Sequence, residues 1–317
     1  MLPDANSATV RCVVTGANGF IGRALVDRLE QKKYPVTQWT RANAHYCIDA
    51  PNLEASRERW QRQLNNVDVV IHLVGLAHQI DQHAVAAEQQ YALINTDATA
   101  QLARAALAAG VKRFIFISTA KVFGEGGDII YSMQSPAQPV DAYARSKWHA
   151  EQQLQDIVRN STMELVVIRP PLVYGANAKA NFAQLQKLAA LPLPLPFASL
   201  RNRRDMIALD NLVDLIELCI HHPAAADGTW LCADAQPYSL AEIITAMRLA
   251  NGRHRALFSF PPALLRRFFS AILGIARAEK ALGDFRIDCS ATHAMLGWRP
   301  QRTMRDIFIA ANKRSAK

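Results

Sequence analysis

A strand that ends in a glycine-spaced turn and runs straight into a helix leaves a chain few folds to choose from. Residues 10–22 (VRCVVTGANGFIG) form such a segment. An apolar, β-prone run stops at Gly16, and Gly19 and Gly22 follow at equal spacing. In this arrangement the first glycine makes the tight turn and the second leaves room for a pyrophosphate. The third lets the helix pack closely on the strand. The N–H groups that open the helix then face the phosphates, aided by the helix dipole. The segment predicts a dinucleotide site built by Gly16, Asn18, Gly19, Phe20, Ile21 and Gly22, with a helix over 21–32. An ordinary strand-turn-helix corner would use the same glycines, so the rest of the chain must decide.

With 317 residues and 50% hydrophobic content, the chain can form one large α/β unit or two lobes. A charged content of 20% argues against extended disorder. Cys12, Cys47, Cys219, Cys232 and Cys289 have neither metal-ligand nor CxxC spacing. They read as thiols in a reducing compartment, no metal is expected, and the location is expected to be cytoplasmic. The start carries no basic segment followed by an apolar one, so no secretory signal is read. No apolar run reaches spanning length. The nearest, 256–276, is interrupted by Pro261-Pro262 and Arg266-Arg267 and predicts a helix with a basic face. A packed helix and weak peripheral membrane contact are its two readings. The net charge is +9, yet the basic residues form no aromatic-interleaved stripe, and nucleic acid is not expected as a partner. An anionic nucleotide substrate with an anionic cofactor accounts for the bias.

The first half alternates strands (10–15, 36–40, 68–74, 114–118, 164–168) with helices (21–32, 92–110, 142–160). Near-continuous apolar strands such as DVVIHLV and FIFIS suit a parallel sheet covered on both faces. The expected fold is α/β, a Rossmann-type doubly wound parallel sheet with a smaller C-terminal α/β substrate lobe. After Arg169 the texture changes. LPLPLPF is extended, 210–221 a helix, and 229–233 a strand that can return to the sheet. The expected division is a dinucleotide-binding domain over 8–168, with return segments near 205–233. The substrate-binding lobe takes 169–204 and 234–317.

Tyr143 and Lys147 lie one helical turn apart and share a face. A phenol near pKa 10 is a poor acid-base catalyst at neutral pH, and a neighbouring ammonium, helped by a cationic nicotinamide, favours its ionised form. Such a tyrosine can protonate a carbonyl oxygen during hydride delivery or take the hydroxyl proton in reverse. A third group, a hydroxyl at the C-terminal end of a central strand, is supplied by Ser118 and Thr119 in FIFISTAKVFG.

With the glycine turn, the strand-end hydroxyl and Tyr-x-x-x-Lys in that order, the chain resembles the extended short-chain dehydrogenase/reductases of the nucleotide-sugar epimerase/dehydratase type. TGANGFIG, HLVGLAH, INTDATAQLARAA, YARSKWHAE, RPPLVYG, RRDMIALDNLVDLI and the terminal LGWRP carry the resemblance across nearly the whole chain. It implies an NAD(P)-dependent enzyme in which Thr119, before Ser118, is the catalytic hydroxyl and Asn95 supports the site. It also implies that Ile48 and Asp49 flank the adenine. Leu73, Gly75, Ala77 and Pro170 join Tyr143 and Lys147 along the cofactor cleft. On the substrate side it implies Lys121, Asn181 and Phe182, backbone near Leu195 and Phe197 at a uracil, and Arg204 on a phosphate. Arg286 stands where a second phosphate ligand is less clearly matched. A homodimer through helices 92–110 and 142–160 is also implied.

Two departures narrow the chemistry. The resemblance predicts an acidic pair after the catalytic threonine in sugar dehydratases, and here Ala120 and Lys121 follow, which disfavours dehydration. An acidic residue that would hold ribose hydroxyls at the end of the second strand is absent from Gln38-Trp39-Thr40-Arg41. Arg41 is placed to meet a 2′-phosphate, which favours NADP over NAD, although a solvated loop arginine is its other reading. The expected activity is oxidoreduction at C4 of a UDP-sugar. The leading form is 4-keto reduction of a UDP-4-keto-6-deoxy-N-acetylhexosamine for bacterial polysaccharide (O-antigen) sugars. A UDP-hexose or UDP-N-acetylhexosamine 4-epimerase is the alternative. A non-catalytic dinucleotide sensor or scaffold is a third reading, against which the intact Thr119, Tyr143 and Lys147 argue.

Overall fold

A computed structural model describes residues 10–40, 48, 52–77, 85–175, 181–254, 256–274, 278 and 282–315. Its strands are β1 (Cys12–Thr15), β2 (Val36–Trp39), β3 (Val69–His72), β4 (Arg113–Ile117), β5 (Ile130–Tyr131), β6 (Glu164–Arg169), β7 (Leu172–Tyr174), β8 (Met206–Ala208), β9 (Gly228–Leu231) and β10 (Arg286–Ile287). Six of them form one parallel sheet in the order β2-β1-β3-β4-β6-β9. The chain steps from β1 outward to β2, then crosses back to β3 and continues the other way. That reversal opens a crevice at the carboxyl ends of β1 and β3, where doubly wound sheets bind ligands.

Alternation along the strands buries both faces. Val14, Ile71, Ile115 and Ile168 pack on α1 (Phe20–Gln31), beneath Leu25 and Leu29. Val13, Val70, Phe114, Phe116 and Val167 face the other layer. That layer contains α2 (Leu53–Gln63) and, beyond the short α3 (Val85–Tyr91), α4 (Ala98–Ala108) and α5 (Ala142–Val158). Beyond α6 (Asn181–Ala189), α7 (Leu209–His221) returns to the first layer, and β9 closes the sheet beside β6. The parallel α/β fold expected from the sequence is therefore present. A second cluster around Tyr174, Phe197, Met206, Ile244 and Phe308 gathers α6, α8 (Leu240–Ala250) and the helix Met304–Ser315. Beside it β7 pairs with β8, and β5 with β10.

Two expected helices differ. Segment 92–110 opens as a π-helical turn, Ala92–Asp97, before α4 begins. Among the described residues of 256–276, the helix is α9, Pro262–Leu273, with Pro261 as its N-cap. Proline is tolerated at the first helical position and disfavours a helix before it. The residues ahead of it run alongside the 195–199 segment instead. Leu195 N–H donates to the Ala256 carbonyl (3.0 Å) and Phe258 N–H to the Leu195 carbonyl (3.0 Å).

The close packing of α1 on its turn gives a first prediction. A Cβ at Gly22 would stand 2.1 Å from the Gly16 carbonyl oxygen. Gly22→Ala is expected to cost about 1–3 kcal/mol in chemical denaturation and to weaken dinucleotide binding, because the turn must move. Wild-type values for both would show that the turn has slack.

Candidate active site

The turn after β1 forms the floor of the crevice. Gly16 adopts φ +70°, a conformation that side-chain-bearing residues rarely take, and its N–H donates to the Trp39 carbonyl at 2.9 Å. Gly19 N–H donates to the Gly16 carbonyl at 2.8 Å. No side chain caps the amides that open α1. They are left to an anionic ligand, which is what a dinucleotide's pyrophosphate supplies. Asn18 and Gly19 are exposed at this end, and Phe20 and Ile21 half-buried. Across the crevice, past β3, a Cβ on Gly75 would come within 3.1 Å of Lys147 Nζ and 3.4 Å of Asn95 Oδ1. The crevice therefore has glycine on both sides and a lysine at its base, a fit for a dinucleotide. Leu73 is half-buried and Ala77 exposed beside it. Ile48 packs at the edge of the α2–α4–α5 layer. Arg41 and Asp49 lie outside the described residues.

The reacting groups converge at the end of β4. Ser118 N–H donates to the Ile168 carbonyl and Ala120 N–H to the Pro170 carbonyl, each at 2.8 Å, so the turn is stitched to the end of β6. Thr119 caps the following 3₁₀ turn, its hydroxyl accepting from Lys121 N–H at 3.2 Å. The same hydroxyl is close enough to the Tyr143 phenol to favour its ionised form. Asp141 caps α5 by accepting from Ala144 N–H at 2.8 Å, which fixes the helix that carries Tyr143 and Lys147. Lys147 is buried, donates to the Ile117 carbonyl at 2.9 Å and lies 4.5 Å from the Phe116 ring centroid. The π-helical turn places Asn95 behind it. Asn95 accepts from Leu76 N–H (2.8 Å) and donates to the Leu76 carbonyl (3.1 Å) and Ser146 Oγ (3.0 Å). Thr119 and Tyr143 meet directly, with Lys147 one turn further along α5. Ser118 does not join them. It is buried and donates its hydroxyl to Glu151.

The electrostatics differ from the expectation for Tyr143. Burial, followed by the negative charge of Asp141, pushes the phenol up, and the Thr119 hydroxyl opposes only part of that. Tyr143 is therefore a protonated acid at neutral pH. Lys147 is lowered to about 8, because burial disfavours the cation more than Glu151 supports it. The charged form predominates below about pH 8 and is lost as pH rises through it. Dinucleotide affinity is expected to fall across that pH by roughly 1–2 kcal/mol as charge-assisted hydrogen bonding disappears. Calorimetric titrations at pH 7 and pH 9 check it, and Lys147→Arg should flatten the dependence. An unchanged affinity in wild type would remove Lys147 from the cofactor site.

Sequence reasoning missed the support beneath the hydroxyls. Glu151 is fully buried on α5, and Arg169 at the end of β6 grips it with Nη2 at 2.5 Å and Nε at 3.1 and 3.2 Å. The Arg169 guanidinium lies 4.9 Å from the Phe123 ring centroid and 5.5 Å from that of Trp148. His72 was also missed as a structural group. It bridges Thr15 Oγ1 (2.7 Å) and Thr99 Oγ1 (3.0 Å), and burial, then Lys147, hold its pKa well down.

The substrate-side residues are less uniformly placed. Lys121 is ion-paired with Asp141 (2.6 Å) and reaches Glu125 (3.5 Å). Asn181 opens α6 with Phe182 behind it, and their side chains lie outside the described residues. Leu195 and Phe197 are buried in the second cluster, and the Leu195 N–H and carbonyl are both engaged by the 256–258 segment. Arg204 is half-buried. It donates to the Gly283 carbonyl at 3.0 Å and lies 5.8 Å from the Phe285 ring centroid, with Glu125 and Asp284 supporting a charge that burial opposes. Arg286 donates from Nε to buried Asp205 at 3.2 Å, which engages one edge of its guanidinium.

Comparison with known proteins gives a consistent set of relatives. The model of the NAD dependent epimerase/dehydratase family matches residues 12–233. A UDP-glucose 4-epimerase of Vibrio cholerae is 34% identical over 319 residues, covering 95% of this chain and 96% of that protein. Among solved structures, UDP-glucuronic acid 4-epimerase from Bacillus cereus in complex with NAD has a TM-score of 0.73 at 19% identity, with 96% of each chain covered. RMD from Pseudomonas aeruginosa complexed with NADPH has a TM-score of 0.73 at 20% identity, covering 96% of this chain and 98% of that one.

Proposed function

Because the chain belongs to the NAD dependent epimerase/dehydratase family, we propose that it is an oxidoreductase working at C4 of a UDP-sugar, and specifically a 4-ketoreductase. The reading rests on one observation. The Thr119 hydroxyl and the protonated Tyr143 phenol meet at the C-terminal edge of the sheet, with Lys147 behind them. A bound nicotinamide dinucleotide supplies the hydride. Tyr143 donates a proton to the C4 oxygen, Thr119 holds that oxygen by hydrogen bonding, and Lys147 orients the ribose side of the cleft. Ala120 has no ionisable group and Lys121 is tied to Asp141, so no acid-base pair stands where dehydration would need one.

The 4-epimerase is the second reading, favoured by the likeness to the UDP-glucose 4-epimerase of Vibrio cholerae. It uses the same three residues, with Tyr143 first accepting the proton that it later returns. The missing carboxylate in Gln38-Trp39-Thr40-Arg41 favours NADP and reduction. Arg41→Ala is expected to narrow a preference for NADPH over NADH by roughly 1–3 kcal/mol, measured by titrating both cofactors. A wild type that prefers NADH, or that copurifies with firmly bound NAD⁺, would move the epimerase ahead.

For the substrate, residues 169–204 and 234–317 form the sugar-binding lobe in this reading, and 8–168 with 205–233 bind the dinucleotide. The product is a UDP-6-deoxy-N-acetylhexosamine of the kind built into bacterial O-antigens. Asn181 and Arg204 hold the diphosphate, far from the hydride, and binding energy there fixes C4 against the nicotinamide. Arg204→Ala is expected to weaken UDP binding by roughly 2–3 kcal/mol while dinucleotide affinity stays unchanged. Equal UDP affinities in calorimetry would remove Arg204, and no UDP binding by wild type would remove the UDP-sugar. Two copies pairing through α4 and α5 complete the proposal. Among the described residues, no helix is long and apolar enough to cross a membrane.

A further inference from the structure

α9 carries large apolar side chains on the outside of the molecule. Leu265 and Phe269 point inward, Leu265 buried in the second cluster and Phe269 packed against it, its ring centroid 6.0 Å from that of Phe197. Those two contacts fix the helix on the lobe. Next to them, at four-residue spacing, Leu264, Phe268 and Ile272 are 54%, 61% and 63% exposed. Residues four apart stack on one helical face, so the three make a continuous apolar stripe in solvent. Phe258 and Phe260, in the segment leading to α9, are 45% and 37% exposed. Single exposed hydrophobes need no explanation, but a stripe of this kind on one helix does.

The charge around it is one-sided. Between Glu242 and Glu279 the sequence contains six arginines (248, 253, 255, 266, 267 and 277) and neither aspartate nor glutamate. Arg253, Arg266 and Arg267 are exposed. Counting 100° per residue, Arg267 flanks the Leu264–Phe268–Ile272 stripe on the side away from Leu265. Apolar side chains on one face of a helix with arginines beside them form an interfacial helix, which lies in the plane of a bilayer. A second copy seated on the stripe would set these arginines against each other with no carboxylate from the same segment to pair them.

We propose that α9 and the 258–260 segment dock on an anionic phospholipid surface. The apolar stripe enters the headgroup boundary, and the flanking arginines meet the lipid phosphates. The surface lies on α9 and its lead-in, whereas Thr119, Tyr143 and Lys147 lie on other elements, and docking holds the enzyme at the membrane. The proposal does not depend on whether the reaction is reduction or epimerisation.

The test is sedimentation of the full chain with vesicles of phosphatidylglycerol and phosphatidylcholine in equal parts, against vesicles of phosphatidylcholine alone. Wild type is expected to pellet with the anionic vesicles, to be released at high salt, and to stay in solution with the neutral ones. Phe268→Glu/Ile272→Glu should lower vesicle affinity on the order of tenfold or more. Arg253→Gln/Arg267→Gln should lower it by about fivefold per arginine. Circular dichroism and dinucleotide titration, both at wild-type values, would show that each variant is folded. Three results would overturn the proposal. One is a wild type that ignores anionic vesicles, and another is apolar-stripe variants that bind as wild type does. The third is a wild type whose sedimentation in lipid-free solution shows self-association abolished by Phe268→Glu/Ile272→Glu, which would make the stripe a contact between copies.

Discussion

Tyr143→Phe is expected to lower kcat by a factor on the order of 10² to 10⁴ while leaving dinucleotide affinity largely unchanged. The substitution removes only the phenol oxygen. The ring keeps its edge-on contact with Tyr91, with centroids 6.2 Å apart, and α5 keeps its Asp141 cap. What is lost is the proton that burial and Asp141 hold on the oxygen and that Thr119 orients. Without it, charge develops on the C4 oxygen with only the Thr119 hydroxyl to stabilise it. Thr119→Val, which keeps the shape and drops the hydroxyl, should show a smaller defect of the same kind. Turnover near wild type in Tyr143→Phe would remove the tyrosine from the mechanism.

Glu151→Ala is expected to destabilise the fold by about 3–5 kcal/mol in urea denaturation. Arg169 and Glu151 are both buried, with side chains 7% and 0% exposed. Removing the carboxylate strands the guanidinium between Phe123 and Trp148 and leaves the Ser118 hydroxyl without its acceptor. Breaking a buried pair from one side costs more than the pair contributes, because the partner's desolvation is then uncompensated. Glu151→Gln keeps one acceptor oxygen, which can serve Ser118 and Arg169 Nε, and should lose less. Glu151→Ala within about 1 kcal/mol of wild type would show that Arg169 finds another partner.

Much of this arrangement was legible in the sequence because it depends on local pattern. Apolar runs of four to six residues locate the central strands within a residue or two, since a strand buried on both faces leaves no polar interruption. The glycine turn declares itself because Gly16 takes a positive φ and Gly22 has no room for a Cβ. Tyr143 and Lys147 are bound to one helix face by spacing alone.

What was not legible depends on distant contacts. The π-helical turn at Ala92–Asp97 runs without a break into the alanine-rich α4, and what sets it apart is the use of Asn95 against Leu76 and Ser146. Glu151 stands four residues after Lys147 and so on the same face, a signal that could have been read. Its partner comes from β6, however, and no local spacing joins them. The burial of Tyr143 was not legible either. The lysine one turn away was visible in sequence, but the burial that raises the phenol is a tertiary quantity. The Arg286–Asp205 pair was not legible for the same reason, because Asp205 reaches it across the lobe.

The most direct measurement is an incubation with NADPH and a UDP-4-keto-6-deoxy-N-acetylhexosamine, with cofactor oxidation followed by absorbance and the sugar product by mass. A 4-ketoreductase consumes one NADPH per sugar and yields the UDP-6-deoxy-N-acetylhexosamine, and Tyr143→Phe loses both signals together. If NADPH is left untouched while UDP-hexoses interconvert at C4 with no net use of cofactor, the reductase account is contradicted and the protein is an epimerase.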